Sequence, residues 1–309
     1  MKKDGAQMSK ITVKIGALNF LNPVALASGI LSHGSLLRRA AEEGAGAVVT
    51  KSLTLREREG YKTPTIVGAK AGLINAIGLA NPGYKEFLKH DLPMARQGGA
   101  CVIVSIAGGG VDEFRKISIA AERAGADGVE LNLSCPHVKK HGLEIGSDPP
   151  LVKKIVREVR GSVKIPVHAK LGLTDNLTGS AIAAESAGAD AIVAINTIRA
   201  VAIDVNAMKP VLSNTYGGLS GPAIHPIAVR CVYDLYKELS IPIIGCGGVE
   251  DSSDALEFIL AGATAVQVGT AVALKGLTVF KEIAIGIDRY LDFYGFKDLR
   301  EIVGLAHRR

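Results

Sequence analysis

The stretch ELNLSCPH (130–137) turns from apolar to polar at its end, bringing Asn132, Ser134 and Cys135 close together. A cysteine in that position is either a small buried hydrophobe or a group that moves a proton. A free thiol titrates near ~8.5, so the second role needs a lowered pKa or a loop that closes over it. The segment from Pro136 to Pro150, with Gly142 and Gly146, is the candidate lid. Lys51 and Lys170 each sit at the end of an apolar run, where an ammonium suits an anionic or electron-accepting ring. Asn75, Asn132 and Asn196 offer paired donors and acceptors to a flat, amide-bearing substrate. Gly247-Gly248 and Gly269-Thr270 present backbone N–H groups bare of bulky side chains. They either cradle a phosphate or make tight turns only. Ser28, Ser52, Ser105 and Thr197 also end apolar runs. Burying each without a partner costs roughly 1–3 kcal/mol, so a polar ligand is the favoured partner.

These residues need elements to position them. A phrase with Ala-Gly-Ala at its centre recurs in AEEGAGAVVTKS (41–52), AERAGADGVELNLS (121–134), AESAGADAIVAINT (184–197) and FILAGATAVQVGT (258–270). Each reads as a helix closed by glycine, a sharp turn and a strand buried on both faces, one step of a parallel sheet. Val24–Ser28, Cys101–Ile106, Ile165–Leu171 and Ile241–Gly245 supply the remaining strands. Helical patterns such as Asp148–Val159 and Asp254–Ala261 lie between them. Eight alternating units predict a (β/α)8 TIM barrel, with long loops on the C-terminal face at 135–150 and 199–221. A doubly wound open sheet is the alternative, but no GxGxxG follows the first strand. In a barrel the polar strand ends converge on one mouth, with phosphate held after strands seven and eight.

The composition fits this reading. The 309 residues are 48% hydrophobic and 21% charged, enough for one large core, and residues 1–309 are taken as a single domain. The net charge of +6 is spread in short groups such as Arg38-Arg39 and Lys153-Lys154, which reads as solvated helix faces rather than a nucleic-acid surface. Cys101, Cys135, Cys231 and Cys246 form no CxxC pair, so neither zinc nor an iron–sulfur cluster is signalled and no metal is assigned. With no apolar leader and no run long enough to span a membrane, the expected location is cytoplasmic.

From about Ile11 to His307 the chain resembles the class 1 dihydroorotate dehydrogenases. The segments that carry the resemblance are LASG (26–29), TKSLTLREREGYKTPTI (50–66), GLINAIGLANPG (72–83), ELNLSCPH (130–137), AINT (194–197), GGLSGPAIHPIAVR (217–230), IIGCGGV (243–249) and AVQVGTA (265–271). The resemblance implies FMN held by Ser28, Lys51, Ser52, Asn132, Lys170, Ile195 and Gly221, with its phosphate on Gly247, Gly248, Gly269 and Thr270. Ser105 stands where an Asn often touches FMN. Dihydroorotate would lie against Lys51, Asn75, Ala76, Ile77, Gly78, Leu79, Asn132, Asn196 and Thr197, and against His137, where many relatives have Asn. Cys135 would take a proton from C5 while hydride leaves C6 for FMN, giving orotate for pyrimidine biosynthesis. Class 2 enzymes carry a serine base and a membrane-docking extension, which this chain does not match. Asn196-Thr197 and GGLSGPAI look closer to the NAD-linked subclass, which implies a homodimer joined in a heterotetramer by a subunit carrying FAD and a [2Fe–2S] cluster. SCPH is also similar to dihydropyrimidine dehydrogenases. A flavin-free phosphate-binding barrel, an isomerase or lyase, is the rival from another class. His141 and His225, the latter in place of a common Lys, read as surface or structural residues.

Overall fold

The four recurrent phrases end their helices as expected. Gly44, Gly125, Gly188 and Gly262 take φ of +99°, +90°, +95° and +121°, values that penalise any residue with a Cβ. In the computed structural model, which describes residues 9–134 and 143–308, each of these glycines is followed by a strand of one closed parallel barrel. Its strands are β1 (Val24–Leu26), β2 (Ala47–Val49), β3 (Cys101–Ile106), β4 (Gly128–Asn132), β5 (Val167–Leu171), β6 (Ala191–Ala194), β7 (Ile243–Cys246) and β8 (Ala265–Val268). Their order around the barrel is their order in the chain. β8 pairs back onto β1 through Val266↔Val24 and Val268↔Leu26, so no edge is left open.

The helices α1 (Gly34–Glu42), α2 (Tyr84–Arg96), α3 (Val111–Arg123), α4 (Pro149–Arg160), α5 (Leu177–Ser186), α6 (His225–Tyr236), α7 (Ser252–Ala261) and α8 (Val279–Tyr294) follow the strands in turn. Each presents an apolar stripe to the barrel; in α4 it is Val152, Ile155, Val156 and Val159, the i, i+3, i+4, i+7 spacing of one helix face. Asp148 caps α4 by accepting from the Leu151 N–H at 3.1 Å, with Pro149 in the first turn where its missing donor costs nothing. The helix expected over Asp254–Ala261 begins earlier, at Ser252, because Asp251 and Asp254 form a reciprocal cap. The fifth and seventh strands begin later than expected, after Pro166 and Pro242, since proline has no N–H to give to the ladder.

The barrel's two ends differ. At the N-terminal end an antiparallel ribbon, Val13–Ile15 with Leu18–Phe20, closes the bottom; the Cys101 thiol donates to the Asn19 carbonyl at 3.4 Å, and Leu18 packs over Gly128. At the other end the insertions after β2 and β6 form a four-stranded antiparallel sheet in the order Ile198–Val201, Tyr216–Ser220, Gly72–Asn75, Ile66–Ala69. The segment 199–221, expected as a long loop, thus contributes strand residues near both its ends to this sheet. Its glycines are sterically required: a side chain at Gly218 would collide with Thr197, and one at Gly217 would lie 2.7 Å from both Ile74 and Leu212. No described helix is long and apolar enough to cross a membrane.

The barrel interior carries polar side chains among its apolar layers. Glu130 and His168 are register partners on β4 and β5, and both are fully buried. Neither His168 ring nitrogen has a hydrogen-bond partner among the described residues. Burial pushes this imidazole below its ordinary value of 6.5, outweighing the opposite pull of Glu130 and Asp190. The unfolded chain therefore takes up a proton near 6.5 that the folded chain refuses, and stability falls as pH drops through that value. In His168→Leu this loss is expected to be shallower between about pH 7 and 5 than in the parent. Thermal melts across that range check it, and equal slopes would contradict it.

Candidate active site

The closed barrel brings the ends of distant strands together around one cavity of about 410 Å³ on its C-terminal side, a size suited to a small organic ligand. Ser28 reaches it from beyond β1, Lys51 and Ser52 from beyond β2, Asn132 from β4, Lys170 from β5, and Ile195, Asn196 and Thr197 from beyond β6. Gly247 and Gly248 follow β7, and Gly269 and Thr270 follow β8; all four are on the wall, joined by Gly221 from the end of the inserted sheet. The turn Asn75–Leu79 leans over from that sheet. Tyr61 N–H donates to the Ile77 carbonyl at 3.0 Å, and Asn75 Nδ2 donates to the Gly218 carbonyl at 3.3 Å, so both insertions hold this turn in place.

Lys170 is the most constrained cation of the site, with 3% of its side chain exposed. Its ammonium donates to Gln267 Oε1 at 2.6 Å, and Gln267 Nε2 donates in turn to Glu130 Oε2 at 2.6 Å. Glu130 Oε1 lies 3.8 Å from Lys170 Nζ. A buried ammonium is tolerated when a carboxylate balances its charge and hydrogen bonds occupy its protons, which this triad supplies. Lys170 Nζ also reaches Ser28 Oγ at 3.4 Å and Cys246 Sγ at 3.8 Å. Burial pushes the Cys246 thiol up, despite the opposing pull of Lys170, so it is not poised as a thiolate. Desolvation lowers the pKa of Lys51, meaning its charge is under-compensated by the protein and an anionic ligand would restore the balance.

A second network begins beside Lys170, at its register partner Asn132. Asn132 Nδ2 donates to Ser52 Oγ at 2.9 Å, Ser52 Oγ lies 2.9 Å from Ser105 Oγ, and Asn196 Nδ2 donates to Ser134 Oγ at 2.8 Å. These bonds lock the asparagine amides in fixed orientations while leaving both residues on the cavity wall. Near the turns after β7 and β8, Thr270 Oγ1 donates to Ser220 Oγ at 2.8 Å.

Of the residues singled out from the sequence, two are displaced from the wall. Ser105 is fully buried one layer below it, with its hydroxyl against that of Ser52. Ala76 is also fully buried, turned toward Ile74 and Leu212 in a small separate cluster. Cys135 and His137 lie outside the described residues, as do residues 136–142 of the candidate lid. Sequence reasoning missed Glu130, Gln267, Cys246 and Ser220. Glu130 and Gln267 do carry a signal: each is a polar residue flanked by apolar ones inside a barrel strand, VEL and VQV. Among the described residues no group of three or more His, Cys, Asp or Glu side chains could hold a metal ion.

The dihydroorotate dehydrogenase family model matches residues 10–291. The chain belongs to that family. Its relatives include a protein of Pyrococcus furiosus, 51% identical over 96% of this chain and 99% of its own length. Another, from Thermococcus kodakarensis, is 50% identical over 97% and 99%, and one from Methanocella arvoryzae is 48% identical over 97% and 98%. All three bear the name dihydroorotate dehydrogenase B (NAD(+)), catalytic subunit. As a dihydroorotate dehydrogenase family member, the chain keeps its polar centre in the triad Lys170–Gln267–Glu130. Gln267→Leu strips both neighbours of their bridging partner and should cost about 3 kcal/mol or more, twice the lower value for a hydrogen bond to a charged group. Urea unfolding measures it, and a midpoint equal to the parent's would show that the bridge carries no weight.

Proposed function

We propose that the cavity holds FMN and that the chain oxidises dihydroorotate to orotate, the step in pyrimidine biosynthesis for which its relatives are named. The observation that carries this reading is the convergence, in one cavity, of a buried and balanced lysine, three asparagine amides and two glycine turns. The Gly247-Gly248 turn is compatible with this reading: a Cβ at Gly248 would stand 2.7 Å from the Gly221 carbonyl oxygen, so only glycine brings the backbone to this part of the wall. On this reading Ser28, Lys51, Ser52, Asn132, Lys170, Ile195 and Gly221 hold the flavin, and Gly247, Gly248, Gly269 and Thr270 hold its phosphate. Bound there, FMN supplies a two-electron acceptor for the hydride that leaves C6.

The protein's part is orientation, charge and a base. Asn75, Asn132 and Asn196 pair with the amide edges of the substrate, Thr197 and the Ile77–Leu79 turn shape its pocket, and Lys51 faces its carboxylate. Cys135, which follows Ser134 directly, accepts the C5 proton, with His137 beside it as a substrate contact. The Lys170 ammonium favours the arrival of electrons at an adjacent ring, its charge fixed by Glu130 so that no solvent has to reorganise. The relatives' names support an NAD-linked catalytic subunit. We extend this to a homodimer partnered by a subunit bearing FAD and a [2Fe–2S] cluster, and read residues 1–309 as one FMN-binding domain.

Anaerobic addition of dihydroorotate to the FMN-loaded protein should bleach the flavin bands, and dihydrouracil should not. Bleaching by dihydrouracil alone would replace the substrate assigned here with a dihydropyrimidine. Cys135→Ser should keep its flavin yet reduce it at least about a hundredfold more slowly at neutral pH, the usual weight of a positioned base. Stopped-flow traces at the parent rate would remove Cys135 from that role.

A further inference from the structure

We propose that His225 is a positioning residue for the phosphate turn, and that through this turn it sets the chain's preference for a phosphorylated over an unphosphorylated flavin; this rests on the FMN reading above. From the sequence His225 was a surface or structural residue. In the fold it opens α6, and its side chain is only 11% exposed and stands behind the Gly247-Gly248 turn rather than on the cavity wall. Its Nδ1 lies 3.3 Å from the Gly247 carbonyl oxygen, and its Nε2 lies 3.1 Å from Glu257 Oε2 and 3.8 Å from Asp254 Oδ1, both on α7. The ring meets Phe258 edge to face, with centroids 5.2 Å apart and planes at 90°. Both partners are acceptors, so the ring ties the turn to α7 when both of its nitrogens carry a proton.

The turn needs such a tie. Gly247 and Gly248 adopt φ of +138° and +72°, and two consecutive glycines can leave such a conformation for others with little steric penalty. The Gly247 carbonyl and the Gly248 N–H belong to one planar trans peptide and point in opposite directions. Holding the carbonyl back against His225 turns the Gly248 N–H the other way, toward the cavity that both glycines line. The fit leaves no slack: a Cβ at Gly248 would stand 2.7 Å from the His225 Cβ and 2.7 Å from the Gly221 carbonyl oxygen. His225 thus acts on the part of the ligand that is phosphate and not on the ring, which Lys51, Asn132 and Lys170 face from other strands.

The test is titration of the flavin-free full chain with FMN and with riboflavin, each followed by quenching of flavin fluorescence. The parent should bind FMN more tightly than riboflavin. His225→Phe keeps a ring against Phe258 but offers no donor; it should weaken FMN about tenfold, the upper weight of one hydrogen bond, and leave riboflavin unchanged. His225→Asn, whose amide nitrogen can take the place of Nδ1, should recover most of the loss. If the parent ratio persists in His225→Phe, or if both flavins weaken together, the inference is overturned, the second pattern being that of a purely structural residue. Should His225→Phe not fold, His225→Ala gives the same two readings. A parent chain that does not distinguish FMN from riboflavin overturns the FMN reading itself, and this inference with it.

Discussion

A primary ammonium inside a protein costs several kcal/mol unless its charge is balanced and its protons are met, and at Lys170 that requirement organises the whole mouth of the barrel. The three residues involved come from β5, β8 and β4, strands that meet only because the sheet closes on itself. Parallel register places Asn132 beside Lys170 and Cys246 beside Gln267, so the inward-facing positions near the strand ends form one polar layer. Glu130, a turn of the pleat deeper, balances the charge from below. The ammonium is left facing Ser28 and the cavity with its position fixed before any ligand arrives, which is the condition for electrostatic stabilisation to act without reorganisation.

The asymmetry of the two ends follows from what covers them. The N-terminal ribbon fills the bottom with Val13, Ile15, Leu18 and Phe20, so that face serves stability. The top is roofed by a sheet whose strands come from two insertions far apart in the chain, joined by Gly218↔Asn75 and Leu219↔Ile74. That roof narrows the barrel mouth and hangs the Asn75–Leu79 turn over the cavity. The same insertion ends at Gly221, where it packs against Gly72 and the Gly247-Gly248 turn, so the roof and the loop after β7 share one contact region.

The barrel was legible because each strand is buried on both faces and reads as an apolar run, and because glycine at a helix end announces the next strand. The polar residues at those strand ends were legible for the same reason: each breaks an apolar pattern where burial without a partner is costly. The roof was not legible. YGGLS has weak strand propensity, and although one side pairs with the nearby Ile198–Val201, the other pairs with residues more than a hundred positions away. Ser105 and Ala76 were not legible as lying off the wall, because only the fold sets Ser52 in front of the one and draws the other into a cluster under the roof. Glu130 and Gln267 lie inside their strands, not at the ends from which Lys170 and the other polar residues were read. His225 carried no signal of its own, because its role depends on a carbonyl that only the folded turn brings to it.

The account stands on the cavity being a flavin mononucleotide site. The most direct measurement is the visible spectrum of the purified chain, followed by release of its pigment and determination of the pigment's mass and amount. The account predicts flavin absorption bands and one FMN per chain. A colourless chain that takes up no FMN when supplied with it would contradict the account at its root.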